Sequence, residues 1–204
     1  EARAIGWRTV GEIGGTGCFM MALTHLHLAD LTAILQALPL AVTLAAALFL
    51  REQVGWRRWG AILIGFSGVL LIVQPGGSAF SPYAIWALVS VCFITLRDLS
   101  TRRIAGRVSS VLIAHITAVS VMCLGLVLVP FQGWEDVAPK HFAAMFGAAA
   151  FLSLGYLTVV SATRKGDIGF VAPYRYTGLV WAIVFGMVFF REMPSPQMLL
   201  GSVI

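Results

Sequence analysis

Long apolar runs separated by short polar clusters occupy almost the whole chain. About 20 apolar residues cross the hydrocarbon of a bilayer as a helix. On that measure the pattern predicts seven complete spans, at about Thr9 to Leu28, Leu31 to Leu50, Trp56 to Val73, Pro82 to Leu99, Ser109 to Pro130, Lys140 to Ala162 and Ile168 to Phe190, and an eighth starting near Pro196. No segment between them is long enough to hold a core of its own, so the runs are the architecture: an all-α membrane protein built as a helix bundle. The polar clusters set its direction. When connections are assigned alternately to the two sides, Arg3, Arg8, Arg51, Arg57, Arg58, Arg97, Arg102, Arg103, Arg107, Arg164 and Lys165 fall on one side, eleven in all, and only Lys140 and Arg191 on the other. The excess of positive charge on cytoplasmic loops then places the N-terminal edge and the loops near 54, 104 and 165 inside, and those near 77 and 136 outside.

Composition agrees. The chain has 204 residues, 59% apolar and 11% charged, against about 25% charged in soluble domains. The net charge of +5 is accounted for by topology and does not indicate a nucleic-acid surface. Cys18, Cys92 and Cys123 lie within apolar runs without paired spacing, so they read as small core residues and indicate neither disulfides nor a zinc site. No cofactor or metal is indicated. The chain starts without methionine and stops inside an apolar run, which reads as part of a longer protein.

Arg175 is the residue least at home in this pattern. It sits between Tyr174 and Tyr176 inside the seventh run, and a charge in hydrocarbon needs protein, water or ligand around it. Gly178, Ala182 and Gly186 share its side of a helix turning about 100° per residue, a small-residue row that allows close packing and points Arg175 into a bundle. Pro173 removes a backbone donor just before it and loosens the helix there. Arg175 is therefore a substrate-binding candidate, with Tyr174 and Tyr176 as aromatic surface. The plainer alternative is an arginine that snorkels to the interface or pairs with a neighbouring helix.

Other spans add weaker candidates. Gly11, Gly14, Gly15 and Gly17 lack the strand and third glycine of a dinucleotide loop and read as membrane-helix glycines. Glu12, one turn after Arg8, is either an ion pair at the cytoplasmic edge or a proton-coupling carboxylate. In the second span Ala33, Ala37, Ala41 and Ala45 form a packing seam, while Thr32, Gln36 and Thr43 lie on another face with Pro39 between them, to line a cavity or bridge to another helix. Gly65-Phe66-Ser67-Gly68 resembles the G-x-S-G of rhomboid proteases, with His115 as a nominal partner, but the chain has no asparagine for the oxyanion. His115 reads as a helix contact or a proton relay. The fourth span carries Trp86, Ser90, Phe93 and Arg97 in one stripe, then an Asp98/Arg102 pair at helical spacing. Trp86 either stacks on a ligand or marks the interface. Tyr156 is a cavity candidate in the sixth span.

Leu48-Phe-Leu-Arg-Glu-Gln and Val188-Phe-Phe-Arg-Glu-Met align at a shift of 140 residues, each closing a span. An odd number of spans between copies inverts the second, the plan of many secondary transporters. Glu52 and Glu192 read as helix-end residues in contact with nearby arginines. The run from Pro39 into LFLRE (48–52), WRRWGAILIGFSGVLLI (56–72) and FFREMPSPQMLLG (189–201) resembles the EamA branch of the drug/metabolite transporter superfamily. The resemblance implies a ten-span inverted-repeat bundle, with residues 1–78 the remainder of the first repeat and 79–204 the second. It also implies a bacterial inner-membrane permease moving a small organic metabolite by alternating access, without enzymatic activity. A homodimer stays open, and the lipid bilayer is the other partner. APYRY (172–176) is similar to the corresponding segment of S-adenosylmethionine uptake transporters and of riboflavin transporters, which points to a heterocyclic substrate. The alternatives are a membrane structural or assembly subunit, and a membrane-embedded enzyme, for which H-E-x-x-H and a usable Ser/His/Asn set are missing.

Overall fold

The computed structural model describes residues 2–51, 55–76, 80–104, 108–132, 137–165 and 177–203. Every regular element among them is a helix: α1 (Ala2–Leu23), α2 (Leu28–Leu35), α3 (Leu38–Phe49), α4 (Trp56–Val73), α5 (Tyr83–Arg102), α6 (Ser110–Gln132), α7 (Pro139–Lys165), α8 (Thr177–Phe185) running into a π-helical turn (Gly186–Phe190), and α9 (Pro196–Val203). Four stretches among the described residues are long and apolar enough to cross a membrane: Leu28–Phe49, Trp56–Val73, Tyr83–Thr101 and Val111–Pro130. The helices form a multi-pass membrane bundle. They divide into two compact units, residues 1–126 with 179–204, and residues 127–178. The core described below belongs to the first; the second is built around α7.

The fourth helix coincides with its predicted span, and α5, α6 and α7 depart from theirs by a few residues. The first two spans depart more. Helix α1 begins at Ala2 because Arg3 and Arg8 are good helix formers that need not mark an end. It stops at Leu23, where the Thr24 hydroxyl donates to the Met21 carbonyl at 3.1 Å and His25 Nδ1 sits 3.2 Å from the same oxygen, side-chain competition that ends helices. The second span is broken. Gln36 and Ala37 form a turn between α2 and α3, and Pro39, lacking an N–H, leaves the carbonyl a turn earlier without its helical donor.

Helix α1 packs antiparallel on α5. A side chain at Gly11 would meet the backbone of Phe93 and Arg97, one at Gly14 the ring of Phe93, and one at Gly15 Ile94. The glycines are thus a contact surface, locked by the buried Ser90 hydroxyl donating to the Gly15 carbonyl at 2.9 Å. The Ser90, Phe93 and Arg97 stripe is the matching face of α5. Gly65 receives Leu40 in the same way, and Gly201 of α9 lies against Ile72 and the Gly68 carbonyl. The Ser67 hydroxyl donates to Ile64 at 2.6 Å, so this glycine-serine motif packs helices.

The main apolar core joins Ala22, Leu31, Ile34, Ala37, Val69, Val73, Ala84, Ala87 and Val91. A second cluster sets Ala29 and Ala33 of α2 against Met198 of α9, with Ile72, Leu179 and Ile183 around it. Leu179 and Ile183 bring α8 against this cluster, and Glu192, past the π turn, reaches the start of α2. Many large apolar side chains stay exposed, among them Trp56, Leu63 and Val111, as lipid contact requires.

Candidate functional site

An apolar cavity of about 630 Å³ opens between α3 and α5, with Phe66 of α4 and Trp7 of α1 also in its lining. From α3 and the break before it come Ala37, Ala41, Leu44, Ala45, Leu48 and Phe49; from α5 come Leu88, Val91, Cys92, Thr95, Leu96 and Leu99, with Ser100 and Arg103 at the end. The alanine row explains why there is room. Ala33 and the start of Ala37 do pack as a seam, but Ala41 and Ala45 leave a hollow in front of α5. The expected polar face does not line it: Thr32 and Thr43 donate to their own helix, to Leu28 at 2.7 Å and Pro39 at 2.8 Å. Thr95 does line it, with its hydroxyl buried and unpartnered.

A charged cluster lies on the opposite side of α5. Glu12 sits between two guanidinium groups, Arg8 Nη2 at 3.6 Å and Arg97 Nη1 at 3.5 Å. Arg97 Nε donates to Asp98 at 2.9 Å. Arg8 is 7% exposed and donates through Nη1 to Thr117 of α6 at 2.6 Å, with its Nε unpartnered. The expected Arg8–Glu12 pair exists and is part of this larger network. Asp98 is met by its neighbour Arg97; the side chain of Arg102, its expected partner, lies outside the described residues. Beside the cluster a second cavity, about 200 Å³, is lined by Glu12, Gly15, Thr16, Phe19, Met20, Ile94 and Arg97.

At the other end of the bundle Glu192 Oε2 accepts the N–H of Leu28, the first residue of α2, at 2.9 Å. Where an arginine contact was expected, this backbone N–H is the partner seen among the described residues. The position of Glu192 is set by the π turn: both Arg191, in the left-handed conformation at φ 57°, and Glu192 donate their N–H to the Gly186 carbonyl, which swings the carboxylate towards α2.

The structure brings some predicted site residues into view and leaves others out. Tyr174, Arg175 and Tyr176 lie outside the described residues, as do Pro173 and Glu52. Tyr156 is on α7, with its side chain outside them too. Gln36 stands half-buried in the α2–α3 break. Trp86, on the first turn of α5, is 44% exposed and lines neither cavity. His115 is exposed, its Nδ1 2.9 Å from the Val111 carbonyl of its own helix. Cys18 is buried, but Cys92 faces the larger cavity and Cys123 is exposed; all three are free. Sequence reasoning missed Thr95 and the cavity face of α5, whose apolar residues give no signal that they border open space.

The sequence profile of the EamA-like transporter family matches residues 9–74 and 81–204. Among curated proteins, the S-adenosylmethionine uptake transporter of Rickettsia conorii is 24% identical over 190 residues, 93% of this chain and 64% of the relative. The pseudopaline exporter of Pseudomonas aeruginosa is 28% identical over 193 residues, 92% of this chain and 66% of the relative. The riboflavin transporter of Vibrio cholerae is 25% identical over 179 residues, 84% of this chain and 58% of the relative. The chain thus spans less than two thirds of the length of each.

Proposed function

We propose that this chain, which belongs to the EamA-like transporter family, works as a permease moving a small organic metabolite across a bacterial inner membrane by alternating access. The observation that carries the reading is the 630 Å³ apolar cavity inside a membrane bundle, of the size and lining that small-molecule sites have. Its walls reach Trp7, Leu48, Phe49 and Arg103, the cytoplasmic ends of their helices by the charge count. The outer ends of α2, α4 and α9 are packed together around Met198. That asymmetry suits a form open to the cytoplasm and closed outside. Relatives named for uptake of S-adenosylmethionine, transport of riboflavin and export of pseudopaline support an organic solute and leave import or export to experiment. The two separate matches to the family, 9–74 and 81–204, support the two-repeat organisation with its boundary near residue 79.

In this reading Arg175 binds an acidic or π-rich group of the substrate, beside Tyr174 and Tyr176, with Gln36, Trp86 and Tyr156 as further contacts and Glu12 or His115 as the proton-coupling group. The test is uptake of a labelled metabolite panel by cells expressing the full-length gene. Arg175→Lys keeps the charge but loses the planar fork and its stacking on rings. Transport should fall at least tenfold in Arg175→Lys and in Arg175→Ala at normal membrane levels. Full transport by the alanine form would remove Arg175 from the site, and no uptake of any compound by the parent would remove the permease.

A further inference from the structure

We propose that Thr95 selects among solutes in the larger cavity, its hydroxyl donating to one uncharged acceptor, a carbonyl or a ring nitrogen, set in the apolar part of the transported metabolite that lies against α5. This rests on the permease reading and deepens it by naming a specificity-determining residue and the group it recognises.

The hydroxyl is out of keeping with the others in the molecule. Thr9, Thr32, Thr43, Thr101 and Thr158 each donate to the carbonyl one turn back in their own helix, at 2.7 to 3.0 Å, and Thr101 does so on α5 itself. Thr95 lines the cavity and is 7% exposed, yet its Oγ1 is buried with no hydrogen-bond partner among the described residues. A buried donor left unpaired is costly, and an arriving acceptor recovers that cost. The surface that Thr95 keeps does not come from Oγ1. A turn of about 120° at χ1, from one staggered well to the next, brings the hydroxyl round to the cavity. It breaks no bond within the protein, as the same turn at Thr101 would.

The lining decides what kind of acceptor fits. The facing helix offers Ala41, Leu44 and Ala45, which carry no polar group. Among the described residues of the lining the one charge is Arg103, about 12 Å further along α5 at 1.5 Å per residue. A carboxylate or an ammonium placed at Thr95 would therefore be desolvated without a counter-charge. A neutral acceptor gains the bond and needs no second partner, and the alanines leave room for the apolar body around it.

Cys92, in the same lining, serves as the reporter in the full-length protein purified in detergent with its other cysteines replaced by alanine. The probes are benzophenone and its methylidene analogue, in which CH2 replaces the carbonyl oxygen and the shape is kept. Each competes with N-ethylmaleimide for Cys92, and the quantity read is the ratio of their half-protecting concentrations. Comparison with the same ratio in Thr95→Val cancels partition into the micelle. The preference for the ketone should be at least about threefold greater in the parent than in Thr95→Val, the worth of one hydrogen bond. Thr95→Ser, which keeps the hydroxyl, should retain it. Equal ratios in the parent and Thr95→Val, loss of the preference in Thr95→Ser, or no protection by either probe would overturn the proposal and leave the permease standing. Thr95→Val should melt at or above the parent temperature, since it removes an unpaired group; a lower melting temperature would show that the protein itself holds the hydroxyl, and the proposal would fall. For a compound carried in the uptake panel, Thr95→Val should raise KM by at least about threefold with kcat little changed, and unchanged KM for every carried compound would also overturn it. Uptake of nothing by the parent removes the permease, and this inference with it.

Discussion

A single absent methyl group fixes how closely α1 and α5 approach. A Cβ at Gly11 would stand 2.7 Å from the Arg97 nitrogen and 2.7 Å from the Phe93 carbonyl oxygen, both backbone atoms that no rotamer change can move. Gly17, on the same helix, has nothing within 4 Å of that position. Gly11→Ala should therefore cost about 1–3 kcal/mol as the helices are forced apart. Gly17→Ala should be neutral or stabilising by up to about 1 kcal/mol, the helix propensity gained. Thermal melting of the two purified variants in detergent checks the pair, and equal melting temperatures would mean that α1 and α5 do not meet at Gly11. The same closeness sets Arg97 within 3.5 Å of Glu12, so packing by glycine and the charged cluster are two results of one helix contact.

At the scale of elements, α2 has no side-chain cap of its own: His27 stands at the N-cap position and makes no capping bond. The acceptor comes from Glu192, a carboxylate set against the positive end of the helix dipole. Removing it in Glu192→Ala should destabilise the start of α2 by about 0.5–2 kcal/mol. Glu192→Gln keeps an acceptor oxygen and should cost less. Amide exchange at Leu28 to Leu31 reads this locally, and unchanged protection in the alanine variant would show that the cap contributes nothing. This contact also marks where sequence reading ends. The α4 span was legible to the residue because its apolar run is bounded by Trp56 and Gln74, whereas the α2–α3 break was missed because the apolar run continues unbroken through Pro39. The partner of Glu192 was not legible, since the bond joins residues 164 positions apart and no local pattern encodes it. The cavity was misplaced for a similar reason. Threonine hydroxyls at 32 and 43 looked like a polar lining, but each satisfies itself on the carbonyl one turn back, and the open space lies instead where alanines are too small to fill it.

For the whole molecule, sequence and packing make independent statements about direction. The charge count puts eleven basic residues on one side and two on the other, which orients the bundle in the membrane. The glycine contacts set α1 antiparallel to α5, so the end of α1 bearing Arg3 and the end of α5 bearing Arg103 lie together, as a common cytoplasmic face demands. Glu192, just past the π turn that follows α8, reaches the start of α2; the inverted-repeat reading expects the two spans that close on Arg-Glu to run in opposite senses. The charge count predicts that the loops near 54, 104 and 165 are cytoplasmic and those near 77 and 136 external. With Cys18, Cys92 and Cys123 replaced, Ile104→Cys and Asp136→Cys provide one reporter on each side. A membrane-impermeant maleimide added to intact cells should modify the cysteine at 136 and spare the one at 104 until the membrane is opened. The reverse result would turn the molecule over: the larger cavity would then open outward, the Glu192 cap would face the cytoplasm, and the charge excess would no longer explain the orientation.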